Sequence, residues 1–117
     1  MKVLITGHTS GIGLATYNLL SREDNRVLGM SRSNGYDLES GYTKFKKNIL
    51  DEDPDVLINN AYVKNNQTKL LKELYSEWEK KKKLIINICS VASLIPEEHS
   101  DYKMPYASDK REQRKLN

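Results

Sequence analysis

The feature that most limits what this chain can fold into is the stretch from Thr6 to Gly13, TGHTSGIG. It follows a short apolar run, Val3-Leu4-Ile5, and opens into a helical pattern that starts near Ile12. Glycines between a strand and a helix let the backbone turn tightly and approach a bound group closely. The free N–H groups of the helix start then face that group, which suits an anion such as a phosphate. The spacing is G-x-x-x-G-x-G rather than G-x-G-x-x-G, and such a cluster also suits a plain tight turn. The order of elements in the rest of the chain decides between the two.

Lys2 to Thr6 reads as a first strand, apolar at consecutive positions as in a parallel strand covered on both faces. The helix after the glycines is expected to place Ile12, Ala15, Leu19 and Leu20 on one side and to fade between Ser21 and Asn25. Arg26 to Ser31 reads as a second strand, followed by a turn at Ser33-Asn34-Gly35. From Glu39 to about Asp51 the pattern is helical, with Tyr42, Phe45 and Ile49 on one face, and Asp53-Pro54 stops it. Asp55 to Asn60 is expected to form a third strand. Asn66 to Lys83 is the strongest helical pattern, with Leu70, Leu71, Leu74, Tyr75 and Trp78 in one stripe. Leu84 to Cys89 reads as a fourth strand, Ser93 to Met104 as a loop, and Pro105 as the start of a last helix towards Asn117. Strands alternating with helices predict an α/β fold, a parallel sheet with helices on its faces. The glycine loop then lies at the carboxyl end of the first strand, where open sheets bind ligands.

Composition removes several classes of function. With 117 residues the chain is expected to be one domain, 1–117. The net charge of +3 is spread over several segments, and its densest run, Lys80 to Lys83, is expected to end a helix. That is a solvated face rather than a nucleic-acid patch. The single cysteine, Cys89, excludes a disulfide framework, and His8 and His99 are too far apart in sequence to suggest a metal site. The chain is expected to enter a strand at once, with no signal peptide, and no apolar run approaches the roughly 18 residues of a membrane span. A soluble cytoplasmic protein with no membrane partner is expected.

Three further clusters fall at strand ends. Ser31-Arg32-Ser33 closes the second strand, 25 residues after Gly7. In a dinucleotide fold this position faces the adenosine ribose, where an acid would hold a 2′-hydroxyl and an arginine among hydroxyls would hold a 2′-phosphate. Asn59-Asn60-Ala61 follows the third strand; its asparagines can tie strand ends together or simply form a turn. Ser90 ends the fourth strand, and Tyr106 and Lys110, four apart, share a helix face. An ammonium beside a phenol favours the phenolate and brings the tyrosine towards general acid–base work.

Taken together and in order, T-G-x-x-x-G-I-G, N-N-A, a strand ending in serine and Y-x-S-x-K strongly resemble the short-chain dehydrogenase/reductase family. The match extends over nearly the whole chain, and LIINICSVAS (Leu84 to Ser93) is especially close to the family's serine strand. The resemblance implies a Rossmann-like three-layer fold. It places Gly7, Gly11 and Gly13, with Thr9, Ser10 and Ile12 between them, at a pyrophosphate site. Ser31, Arg32 and Ser33 would select NADP(H) over NAD(H). Asp37-Leu38 would lie beside the adenine, and Asn59, Asn60 and Ala61 would form the motif after the third strand. Ser90 would bond the carbonyl of a small carbonyl or alcohol substrate. Tyr106 would protonate its oxygen, and Lys110 would hold the nicotinamide ribose and tune Tyr106.

The chain also departs from the family. The helix and strand usual between Arg32 and Asp37 are missing, so the sheet is expected to hold about four strands in the order 2-1-3-4. Tyr62 stands where the family has glycine, and the segment from Tyr62 to Leu84 is about half the usual length. Asn65 and Asn66 are weak counterparts of the family's catalytic asparagine. Within these 117 residues the resemblance does not extend to the strands that build the family's substrate pocket, and none is expected here. An uncovered apolar face and an open fourth strand then predict a homo-oligomer, a dimer or tetramer. The expected activity is NADP(H)-dependent hydride transfer to or from a carbonyl or alcohol. The alternative is an inactive dinucleotide-binding or redox-sensing module that acts through oligomerisation.

Overall fold

Four short runs of apolar residues pair into one sheet, whose order explains where the glycine loop ends up. In the computed structural model, which describes residues 1–63 and 65–88, the strands are β1 (Lys2–Thr6), β2 (Arg26–Met30), β3 (Val56–Asn59) and β4 (Leu84–Asn87). All pairings are parallel and the order is β2-β1-β3-β4, as the sequence implied. Three helices connect them: α1 (Gly11–Ser21), α2 (Tyr42–Glu52) and α3 (Asn66–Glu77).

Because side chains alternate along a strand, β1 serves both faces of the sheet. Leu4, with Leu57 and Met30, packs against Phe45 and Ile49 of α2 and against Leu70 and Leu74 of α3. Val3 and Ile5, with Val56 and Ile58, pack on the other face with Tyr17 and Leu20 of α1. The result is a three-layer, Rossmann-like α/β fold with β1 at its centre.

The helices differ from their sequence patterns for identifiable reasons. In α1 only Gly13 is buried; Ile12 is 62% exposed and Leu19 58%, and Ala15 is exposed as well. Close contact at Gly13, beside the Gly7 carbonyl and the Asn60 amide, sets the rotation of the helix, so Ile12, Ala15 and Leu19 of the expected stripe face outward and only Leu20 packs against the sheet. α2 starts at Tyr42, not Glu39, because the Asp37 carboxylate accepts the N–H groups of Glu39 (2.9 Å) and Ser40 (3.3 Å) and holds a turn there. α3 ends at Glu77, capped by Trp78, well before Lys83. Lys83 is instead drawn to the end of α2. Its ammonium bonds the Pro54 carbonyl at 2.8 Å, pairs with Asp53 at 2.5 Å and stands over the Trp78 ring. The lysine run therefore lies in the connection to β4 and does not end a helix.

β3 is one residue shorter at each end than its pattern suggests. β4 is half covered: Ile85 packs into the core, whereas Leu84 is 54% and Ile86 42% exposed. Their register partners Val56 and Ile58 put these two residues on the α1 side of the sheet, where β4 has no helix above it among the described residues. No described helix is long and apolar enough to cross a membrane. The expected strand end at Cys89, the loop from Ser93 to Met104 and the helix from Pro105 lie outside the described residues.

Candidate functional site

The carboxyl ends of β1, β2 and β3 meet at one place, and the glycine loop fills the gap between them. Gly7 leaves β1 with φ 72° and donates its N–H to the Met30 carbonyl of β2 at 2.8 Å. On the other side, the Asn60 amide donates to the Gly7 carbonyl at 3.1 Å. The buried Thr6 hydroxyl accepts the N–H groups of both Asn60 and Ala61, each at 3.0 Å. Beneath the loop, the His8 ring lies over Gly29, where any side chain would collide with it. The loop is thus anchored to both neighbours of β1. Ser10, the residue before α1, makes no side-chain capping bond, which leaves the N–H groups of the first turn without a side-chain acceptor.

This construction opens onto a crevice of about 790 Å³, within the range of small-molecule sites. Gly7, Thr9 and Ser10 form one wall, Ser31, Arg32 and Ser33 a second, and Asp37 and Leu38 a third, with Asn60 and Ala61 on the β3 side. Ten of the sequence-derived binding residues therefore line one cavity. Gly11, Ile12 and Gly13 sit behind it in the first turn of α1.

Asn59 is turned away. It is fully buried, donates to the Asn87 side chain at 2.9 Å, and receives a bond at its carbonyl from the Gln67 amide at 2.8 Å. Its place is to tie the ends of β3 and β4 to α3, not to line the crevice. Asn66 donates to the Leu38 carbonyl at 2.8 Å and so joins α3 to the crevice wall, while Asn65 is an exposed left-handed residue before α3. Ser90, Tyr106 and Lys110 lie outside the described residues.

The charges in the crevice are arranged unevenly. Arg32 is exposed and its guanidinium has no hydrogen bond or ion pair among the described residues. Beside it the hydroxyls of Ser31 and Ser33 stand 2.6 Å apart. The N–H groups of Glu39 and Ser40 hold the Asp37 carboxyl below the usual carboxylate range, and Arg32 adds to this. Asp37 is therefore ionised and largely committed to its own turn. A guanidinium next to two hydroxyls has the donors to bond an anion. Among the described residues no group of acids, histidines and cysteines is arranged to hold a metal.

The sequence reading missed Tyr36, which lines the same cavity, and Asn34, which shapes it. The Asn34-Gly35 pair is a turn signal, but its side-chain bonds follow only from the fold.

The chain matches no protein-family model and no curated protein sequence. It is similar to several solved structures, among them two dehydrogenases and a reductase. One is the 3-alpha-hydroxysteroid dehydrogenase from Pseudomonas sp. B-0831 in complex with NADH, at TM-score 0.76 and 21% identity, covering 99% of this chain and 70% of that one. The second is a 4-hydroxyisoleucine dehydrogenase complexed with NADH and succinate, at TM-score 0.65 and 20% identity, covering 97% and 66%. The third is the NADH-dependent reductase A1-R′ responsible for alginate metabolism, at TM-score 0.64 and 16% identity, covering 98% and 68%. This chain spans between 66% and 70% of their lengths. It has the Rossmann-like fold that these dehydrogenases share.

Proposed function

We propose that this chain is an NADP(H)-dependent oxidoreductase of the short-chain dehydrogenase/reductase type, working in the cytoplasm on a small carbonyl or alcohol. The observation that carries the reading is the unpaired Arg32 guanidinium beside the Ser31 and Ser33 hydroxyls, on the same crevice as the glycine loop. The loop and the first turn of α1 offer N–H groups to a pyrophosphate. Arg32 and its flanking serines offer a second anion site on another wall of the same crevice. The three similar structures are named for NADH. What supports NADP(H) here is that Arg32 lines the crevice, while the nearby acid, Asp37, is engaged by backbone N–H groups.

When bound, the nicotinamide supplies or accepts the hydride. By resemblance to the family, Ser90 bonds the substrate oxygen and Tyr106 transfers a proton to it. Lys110 holds the ribose and favours the tyrosinate. Calorimetric titration tests the cofactor reading. NADPH is expected to bind at least about tenfold tighter than NADH, since charge-assisted bonds contribute roughly 1.5–3 kcal/mol. Equal affinities, or tighter NADH, would overturn it.

A second reading, a binding or redox-sensing module without turnover, is favoured by Tyr62, whose side chain stands on the crevice wall. Under either reading we propose self-association, because the apolar Leu84 and Ile86 lie exposed on the side of β4 that no helix covers among the described residues. Sedimentation at micromolar concentration should give a dimer or tetramer, and an L84E/I86E double variant should sediment as a monomer. A monomeric wild type would rule out self-association.

A further inference from the structure

Ser31 to Ser33 lead from the edge strand β2 into an exposed turn, and one side chain, Asn34, ties that turn back to the strand. Asn34 folds back over the turn. Its Oδ1 accepts the N–H of Ser31 at 2.8 Å, and its Nδ2 donates to the Gly29 carbonyl in β2, also at 2.8 Å. Backbone bonds close the same turn from Asn34 and Tyr36 to the Ser31 carbonyl, at 3.2 and 2.9 Å, and from Gly35 to the Arg32 carbonyl at 3.2 Å. Gly35 completes the turn with φ 92°, a conformation that glycine adopts without strain. Asn34 itself does not line the crevice.

We infer that Asn34 is a positioning residue for selectivity between 2′-phosphorylated and 2′-hydroxyl dinucleotides. This inference rests on the cofactor reading above. The side chain locks Ser31 in an extended conformation (φ −152°, ψ 172°) before the turn, which brings its hydroxyl to 2.6 Å from that of Ser33 and sends Arg32 outward between them. At that distance one hydroxyl donates to the other, and the second keeps its proton free for an anion. Without Asn34, the Ser31 N–H and the Gly29 carbonyl lose their partners and the three groups no longer share one geometry. The glycine loop and the Asp37-Leu38 wall, anchored by bonds of their own, are unaffected. Asn34 therefore acts on the 2′ end of the ligand alone.

The test is calorimetry on the full chain with NADPH and NADH, for wild type, Asn34→Ala and Gly35→Ala, with a thermal melt of each protein. Asn34→Ala is expected to weaken NADPH by about tenfold, the scale of one or two bonds to a charged group, and to leave NADH within about twofold. Gly35→Ala has open space around its added Cβ but an unfavourable φ, so it disturbs the turn from the other side. It should lower the same ratio by several-fold, and it serves as the measurement if Asn34→Ala does not fold. If the variants keep the wild-type NADPH-to-NADH ratio, or weaken both ligands equally, Asn34 is only a turn former and the inference fails. If the wild type itself shows no preference for NADPH, the cofactor reading fails and takes this inference with it.

Discussion

A Gly13→Ala variant is expected to lose measurable nucleotide binding and to melt on the order of 10 °C below the wild type. A Cβ at Gly13 would stand 2.0 Å from the Gly7 carbonyl oxygen, 2.8 Å from its carbon and 2.6 Å from the Asn60 amide. Two of these atoms are backbone, so rotating a side chain cannot relieve the collision. Either α1 lifts from the sheet or the loop leaves β3, and both break the anchor that shapes the glycine-loop wall of the crevice. Gly11→Ala is the matched control. Gly11 has φ 55° and nothing within 4 Å of an added Cβ, so its substitution meets backbone strain alone, about 1 kcal/mol. Calorimetry and a melting curve read both variants. A Gly13→Ala protein that binds NADPH like the wild type would remove the assigned role of the close contact.

Tyr106→Phe is expected to lower kcat for carbonyl reduction by roughly 10²–10⁴-fold, the range of general acid–base catalysis, with NADPH affinity unchanged within about twofold. The two effects separate because, among the described residues, the crevice walls come from Gly7 to Val63, whereas Tyr106 lies beyond β4 in the chain. A phenyl ring keeps the bulk and removes only the proton. The measurement is the steady-state loss of reduced-nicotinamide absorbance over a panel of carbonyls, beside calorimetry. Undiminished turnover in the variant would sink the catalytic assignment. A wild type that binds NADPH tightly but turns nothing over would leave the binding-module reading in its place.

Strand order, the three layers and the meeting of the glycine loop with Arg32 were legible in the sequence, because they depend on period, element order and crossover handedness. The rotation of α1 was not. Its Ile12, Ala15, Leu19 and Leu20 make a plausible buried stripe, but tertiary contact at Gly13 overrides hydrophobic periodicity. The end of α3 was also hidden, since Lys80 to Lys83 are good helix formers and only the fold brings Asp53 and the Pro54 carbonyl within reach of Lys83. Asn59 and Asn60 are adjacent and chemically identical, yet one ties strand ends and the other lines the crevice. Strand alternation separates them, but the sequence does not say which face the ligand takes.

The Thr6 hydroxyl, by accepting the N–H groups of residues 54 and 55 positions further along, makes the crevice a product of the most distant pairing at the centre of the sheet. Parallel pairing across so long a segment closes late in folding, because the loop entropy must be met before the contacts reward it. A nucleotide that fits the crevice therefore has nothing to hold in the unfolded or half-zipped chain. All of its binding energy falls on the native side of the folding equilibrium, about 2.7 kcal/mol at a ligand concentration one hundred times Kd. For a sheet of four short strands, that is a sizeable share of the whole stability. Occupancy of the crevice and survival of the fold are, in this chain, one linked equilibrium.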